Sequence, residues 1–376
     1  MKQISSLLLS CLLLLPAGMN AEEDAPKQWT LRDCIDYALE HNITIQRNRI
    51  SAESAQEDVK TAKADFLPSL SGNISQRVVN RPNSARGTII SGDNITTSES
   101  KTSYNGSYGI DANWTVYNGS KRVNTVKQQK LNNRIAELNV DESENSIEES
   151  ITQLYVQILY SAEAVKVNES TLEVSRKEFE RGQELFNVGS IASSDLAQLE
   201  AQVSSDNYQL VTSQATLQDY KLQLKQLLEL DGDIEMDLYL PQLSDSNVLI
   251  PLPEKDDVYN TALSLRPEIE AGKLNVESSD LLDNKKTLYK TIENLWLAAN
   301  SAQQQYVAAS QKLKSTETSY SLVSEQFNVG MKNTVELLTE KNNLLSAQQE
   351  TLQAKYTAIL NAGLLRFYQG EEINLF

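Results

Sequence analysis

The sequence predicts a mainly α-helical, internally duplicated protein that carries one transmembrane β-hairpin. Three observations lead there. Long stretches lack helix breakers and carry coiled-coil spacing. One stretch alternates apolar and polar residues with strict period two. The four residues Phe-Asn-Val-Gly occur twice, 141 positions apart (327 − 186).

In chain order, the first element is the leader. "MKQISSLLLSCLLLLPAGMNAEED" has one positive charge, an apolar run through Leu15 and small residues before an acidic start. This reads as a signal peptide, residues 1–21, cut after Ala21. The alternative is a lipoprotein with Leu8-Leu9-Ser10-Cys11 as the attachment box. No later stretch reaches the ~18 apolar residues of a membrane-spanning helix. Any membrane insertion of this exported chain therefore has to use strands.

The strands are legible by alternation. Over 103–116, Tyr104, Gly106, Tyr108, Ile110, Ala112, Trp114 and Val116 alternate with Ser103, Asn105, Ser107, Gly109, Asp111, Asn113 and Thr115. Upstream, Leu70, Gly72, Ile74 and Val78 alternate with Ser69, Ser71, Asn73, Ser75 and Arg77. Two such segments joined by a polar loop over 80–102 fit a transmembrane hairpin. Tyr104, Tyr108, Ile110, Trp114 and Val116 would then face lipid. A half-buried soluble hairpin is the competing reading.

The helices follow. There is no proline between Pro82 and Pro241 and none after Pro267, and Gly182 and Gly189 are the only glycines between Gly119 and Gly232. Proline and glycine weaken helix interiors most, so these runs permit very long helices. Leu196, Leu199, Val203, Leu210, Leu217, Leu224 and Leu227 keep a heptad, with Asp206, Ser213 and Tyr220 in the remaining seam positions. That is coiled-coil spacing with a partly polar seam. A single helix over 119–186 would extend ~100 Å, longer than a compact core needs. Residues 228–255 break the pattern with short apolar pieces, clustered acids and three prolines. They read as a short strand and a linker between two halves.

The halves repeat. "YALEHNITIQRNRISAES" (37–54) aligns with "TALSLRPEIEAGKLNVES" (261–278) at an offset of 224, and further on the offset becomes 141, with Ile151 on Ile292 and Leu196 on Leu337. The second copy is thus shorter by 224 − 141 = 83 residues. The break falls between Ser278 and about Ile292, and what is missing corresponds to roughly 60–140 of the first copy, including its whole hairpin. The junction "VESSDLLDNKKTLYK" stays in helical register, so the shortened chain can still fold as helices, and the helix from about 280 to 326 is expected to be some two dozen residues shorter than its counterpart.

Composition narrows the function. The net charge is −17, there is one His (His41) and two Cys, and Cys11 lies in the leader, leaving Cys34 alone. A general nucleic-acid partner, a His-based metal site and a catalytic triad all lack their residues. No cofactor, metal or catalytic residue is expected. Clustered acids lining a tunnel would favour cations, although ordinary solubility accounts for most exposed charges.

These pieces together resemble the TolC family of outer-membrane efflux proteins. The residues that carry the resemblance are "WTLRDCIDYALEHNITIQ", "ADFLPSLSGNIS" entering the first strand, "ANWTVYNGSKRVNTVKQQK" leaving the hairpin, "SLRPEI" opening the second repeat, and the two Val-Gly corners. The resemblance implies a homo-oligomer, a trimer, whose strands share a β-barrel in outer-membrane lipid and whose helices form a periplasmic tunnel. It implies a periplasmic adaptor (a membrane fusion protein) and an inner-membrane transporter as partners. The corners would dock the adaptor through Val188, Gly189, Ser190 and Asp195 in the first copy, and Val329, Gly330, Met331 and Glu336 in the second. In these terms the chain divides into N-terminal periplasmic helices (22–66), the hairpin with its external loop (67–118), a long helical hairpin (119–231), an equatorial strand and linker (232–256) and a second helical repeat without a hairpin (257–376). The departure matters: three copies would supply six strands, and known single-chain bacterial barrels begin at about eight. A pore-deficient periplasmic interaction module is therefore the alternative function. A larger assembly or one with a full-length relative would supply more strands.

Overall fold

A computed structural model describes residues 28–80, 87–91, 94–98, 102–231, 236–241, 243–275, 278–373 and 375. The leader and Cys11 lie outside these residues. In the first half, helices α1 (Leu31–His41) and α2 (Ile43–Ala64) lead to strand β1 (Ser69–Asn80). Short strands β2 (Gly87–Ser91) and β3 (Asn94–Ser98) precede β4 (Thr102–Asn113), and α3 (Lys121–Asn187) and α4 (Ser193–Leu227) follow. After α5 (Asp245–Val248), the second half comprises α6 (Lys255–Leu265), α7 (Pro267–Leu274), α8 (Ser278–Asn328) and α9 (Thr334–Tyr368).

Local chemistry fixes the joints between these helices. Thr30 and Asp33 form a capping box at the start of α1: Asp33 N–H donates to Thr30 Oγ1 at 3.2 Å, and Thr30 N–H donates to Asp33 Oδ2 at 2.9 Å. Asn42 divides α1 from α2. Its Oδ1 accepts from Thr44 N–H at 2.9 Å, and its Nδ2 donates to the Leu227 carbonyl at 2.9 Å, tying this joint to the end of α4. In the second half Pro267 opens α7, where its missing N–H is harmless.

The duplication is visible in burial. Cys34, Ala38 and Ile45 are fully buried, as are Val258, Ala262 and Ile269 at the offset of 224; Ile151 and Ile158 match Ile292 and Ala299 at the offset of 141. Cys34, Ala38, Ile151 and Ile158 belong to a large mid-length core with Trp29, Tyr155 and Leu224, and their mates and Ile269 belong to a smaller core with Leu288, Leu365 and Tyr368. The large core joins α1, α3 and α4 to α8 and α9 of the other repeat, the smaller one lies within the second repeat, and both lie away from the corners.

At the junction between the repeats α7 ends at Leu274, Asn275 is extended (φ −73°, ψ 135°), and α8 begins at Ser278. The chain folds back here. Asn284 Nδ2 donates to the Glu268 carbonyl at 2.9 Å, and a Cβ on Gly272 would sit 3.3 Å from Leu281 Cα. Four sequence expectations need correction. First, α8 is 67 − 51 = 16 residues shorter than α3, not two dozen. The strand expected over 103–116 stops at Asn113, which leaves Trp114 and Val116 outside it. The register pairs Ser69 with Asn113, so Trp114 would next face Pro68, which has no N–H to continue the ladder. Finally, the polar loop over 80–102 contains the paired strands β2 and β3, and among the described residues the equatorial strand is one parallel bridge between Trp29 and Leu238.

Candidate functional site

The two corners have the same backbone. In the first, Gly189 takes φ +75°, its N–H donates to the Phe186 carbonyl at 2.9 Å, and Ser190 N–H donates to the Leu185 carbonyl at 2.8 Å. In the second, Gly330 takes φ +75°, with Gly330 N–H to Phe327 at 3.0 Å and Met331 N–H to Gln326 at 2.8 Å. This pair of bonds ends a helix with a left-handed residue, a conformation that glycine adopts without steric cost. It explains why a glycine recurs at the same place in both corners.

The acid six residues beyond each Gly caps the next helix. Asp195 Oδ2 accepts from Ala192 N–H at 3.2 Å. Glu336 Oε2 accepts from Asn333 N–H at 3.2 Å, while Asn333 Oδ1 accepts from Glu336 N–H at 2.9 Å. Lys332 pairs with Glu336, and this contact and the cap hold its carboxyl below the usual range. The tips are exposed: Val188 is 75% accessible, Val329 70% and Met331 73%. The corners differ one residue in from the tip. Phe186 is exposed, but its counterpart Phe327 is buried with Leu199 and Leu337. Arg181 Nη2 donates to the Asn328 carbonyl at 3.4 Å, which sets the two corners side by side.

The hairpin lies at the opposite end of α3. β1 and β4 pair antiparallel over twelve residues each, with Leu70 opposite Ala112, Gly72 opposite Ile110, Ile74 opposite Tyr108 and Val78 opposite Tyr104. Opposed residues share a face. One face therefore carries these apolar side chains, and the other carries Ser71, Asn73, Ser75 and Arg77 opposite Asp111, Gly109, Ser107 and Asn105. From Leu70 to Val78 this face, interrupted by Gln76 opposite Gly106, spans ~26 Å at ~3.3 Å per residue, close to the ~25 Å apolar band of outer-membrane barrels. Ile74, Tyr108 and Ile110 are about four-fifths exposed. An isolated two-stranded ribbon of this kind is marginal in water, and its edges have to pair elsewhere. Trp114 and Val116 continue beyond the strand, and Trp114 Nε1 donates to the Phe66 carbonyl at 3.1 Å. Among the described residues no helix is long and apolar enough to cross a membrane.

Sequence reasoning missed one feature. Between the corners and the mid-length core, all four long helices meet in a buried polar knot. Lys341 on α9 lies 2.8 Å from Asp206 Oδ2 on α4 and 3.5 Å from Glu178 Oε2 on α3, and it also contacts Ser175 Oγ. Tyr320 on α8 donates to Glu178 Oε1 at 2.6 Å, and Gln202 Nε2 donates to Asp206 Oδ1 at 2.9 Å. Burial pushes the Glu178 carboxyl up, against the opposing pull of Tyr320 and Lys341. The available signal was Asp206 in an α4 seam position, where a buried acid demands a cation.

Higher on α3, Glu148 and Glu149 are also pushed up by burial, despite Arg32 beside the first and Arg266 beside the second. Arg266 lies 3.1 Å from Glu149 and stacks over Tyr368 with its guanidinium carbon 3.7 Å from the ring centre. This links α3, α6 and α9 within the protomer.

Comparisons agree with this architecture. By structure, the chain resembles the outer-membrane channel OprN with a TM-score of 0.70 and 14% identity, covering 91% of this chain and 90% of that one. It resembles the open state of the Neisseria gonorrhoeae MtrE outer-membrane channel at 0.64 and 14%, covering 90% and 88%. It also resembles the outer-membrane protein VceC of Vibrio cholerae at 0.64 and 14%, covering 92% and 97%. Identities this low establish the shared fold. No curated protein matches by sequence. The family model for outer membrane efflux proteins matches residues 34–229, more than half of the chain, and so the protein belongs to the outer membrane efflux protein family.

Proposed function

We propose that this chain is the outer-membrane duct component of a tripartite export system. One end inserts the β1–β4 hairpin into a shared barrel, and the other presents the Gly189 and Gly330 corners to a periplasmic adaptor coupled to an inner-membrane transporter. The observation that carries this reading is the pairing of opposite designs along α3: a two-faced strand pair at its start and an exposed helical reversal at its end. Lipid would meet Tyr104, Tyr108 and Ile110, and Trp114 and Val116 would sit at the edge of that apolar band. Val188, Gly189, Ser190 and Asp195, with Val329, Gly330, Met331 and Glu336, form the docking surface. The chain acts passively, and energy comes from the partner pump.

Closure of the barrel needs strands from additional chains. Among the described residues each chain offers one membrane hairpin, β1–β4. Three copies would give 3 × 2 = 6 strands, and an open arc would leave unpaired backbone groups in lipid at several kcal/mol each. We infer that the assembly contains more than three hairpins, from further copies or a full-length relative. The same strand count favours a second reading, in which the chain docks partners without forming a pore.

Photo-crosslinking from Val188, Val329 and Met331 in cells tests the docking reading. We expect crosslinks to one periplasmic protein from all three positions and none from an exposed mid-helix control such as Glu173. Equal labelling from the control, or no crosslink at the corners in cells that carry the cognate pump, would remove the docking reading.

A further inference from the structure

The polar knot around Lys341 has features that simple stabilisation does not explain. Lys341, Asp206, Glu178 and Ser175 are all at least nine-tenths buried. Bringing two carboxylates and an ammonium out of water is costly, and well-packed apolar side chains of similar size serve stability as well or better. The knot is also not inherited from the duplication. The repeat mate of Lys341 at offset 141 is Glu200, which is exposed, and that of Asp206 is Ala347, which is buried. The charge arrangement lacks a copy at the mates of Lys341 and Asp206 and lies below the mid-length core, where the α3–α4 hairpin meets the α8–α9 hairpin. Glu178 and Lys341 each lie eleven residues from their corner glycine (189 − 178 and 341 − 330), ~16 Å along a helix. Nearer the tips, a small cluster of Leu199, Phe327 and Leu337 with its partly buried neighbours joins the two hairpins through apolar contact.

We propose that Lys341 is a positioning residue that clamps the α8–α9 hairpin onto the α3–α4 hairpin, so that the two corners form one composite surface. The reason is geometric. A buried ammonium has three donors to place, and here it meets acceptors from α3 and α4 at once. Packing α9 by any other face would leave a carboxylate buried without its cation, and splaying the hairpin would break the Lys341 and Tyr320 contacts together. The clamp thus specifies both which face of α9 is used and how far apart the corners stand. Its functional consequence rests on the docking reading, but the clamp itself is measurable in the purified protein.

The test is an electron-spin distance measurement between labels at Val188→Cys and Val329→Cys, in labelled protein diluted with unlabelled protein so that pairs within one chain dominate. We expect a single narrow distance in the parent and loss of that distance, with a longer population, in Lys341→Glu. The charge exchange Lys341→Glu with Asp206→Lys restores the parent distance. If Lys341→Glu does not fold, Lys341→Met is read by the same criterion. A folded variant that lowers the melting temperature but keeps the parent distance would overturn the proposal and leave the knot a stabilising element only. A charge exchange that folds with native helicity but fails to restore the distance would also overturn it. Crosslinking from the corners fails independently if docking is wrong while the spin distances stand.

Discussion

The two halves of the molecule begin alike and then part. α7 corresponds to the first eight residues of α2 (43 + 224 = 267, 50 + 224 = 274), and both follow a helix of 11 residues. α2 runs on for fourteen more residues, ~21 Å, to the hairpin. α7 instead turns at Asn275 and returns as α8. The difference teaches where a helical repeat tolerates a large change. The cut lies above both buried cores, so Ile45 and Ile269 keep the same burial, as do Ile151 and Ile292. The new corner is made by a close approach at Gly272 and by hydrogen bonds from Asn275 and Asn284. Among the described residues the second half has no counterpart of the hairpin and keeps its corner.

Paired substitutions at repeat mates would break or sharpen this comparison. The largest effect is expected at the knot. Lys341→Ala leaves two buried carboxylates without their cation and should cost about 3–5 kcal/mol. Glu200→Ala at the exposed mate should change stability by less than about 0.5 kcal/mol. Denaturant unfolding of the two variants checks the contrast, and equal losses would mean that the knot is not where the halves differ.

Next is the hairpin, which the first half alone carries. Ile110→Arg on the apolar face should cost about 2–4 kcal/mol if the site lies at mid-bilayer, and Ser107→Arg on the other face should be tolerated. The readout is the amount of folded oligomer recovered from outer membranes. Equal recovery would favour a soluble hairpin.

The new corner gives a smaller effect. Gly272→Leu forces a side chain against Leu281 and should cost about 1–3 kcal/mol, whereas Asn48→Leu at its mate on α2 should be near neutral. Thermal melts decide it.

A pH dependence follows at Glu148, whose mate is Tyr289. Burial raises the Glu148 carboxyl in the folded chain. The folded state therefore holds a proton that the unfolded state has released, and stability falls as pH rises from the ordinary carboxylate range through the raised value. Glu148→Gln should melt higher than the parent at pH 7, with the gap narrowing toward pH 5. A gap that does not change with pH would contradict this.

The smallest effect belongs to the strand-to-helix turn. Gly119 and Ser120 both have φ +66°, and Ser120 has a Cβ to accommodate. Ser120→Gly should stabilise by roughly 1 kcal/mol or less, because relief of strain is partly offset by the greater freedom of unfolded glycine. No change in unfolding midpoint would remove the strain argument.

Much of this design was legible in the sequence, for identifiable reasons. The corners declared themselves because a left-handed residue after a long helix requires glycine, and the same four residues met that need twice. The hairpin was legible because period two survives without any knowledge of partners. Its end was not, because Trp114 continues the alternation and only the register shows that Pro68 stops the pairing. The strands β2 and β3 were hidden among Ser, Thr and Asn, whose polarity also suits a loop. Lys341 was least legible. A lysine in a heptad reads as solvated until the packing of α9 on α3 and α4 is known, and Asp206 in the seam was the only local hint. The fold at the tips thus follows from local rules, while the clamp depends on contacts 135 and 163 residues away in sequence (341 − 206 and 341 − 178).

The most direct test of the duct reading is to isolate outer membranes, measure the mass of the detergent-extracted assembly, and record its conductance in planar bilayers. The account predicts steady conductance from an assembly with more than three hairpins, whether from additional copies or from a full-length relative. A homotrimer that extracts intact and shows no conductance would contradict the duct and leave a docking module in its place.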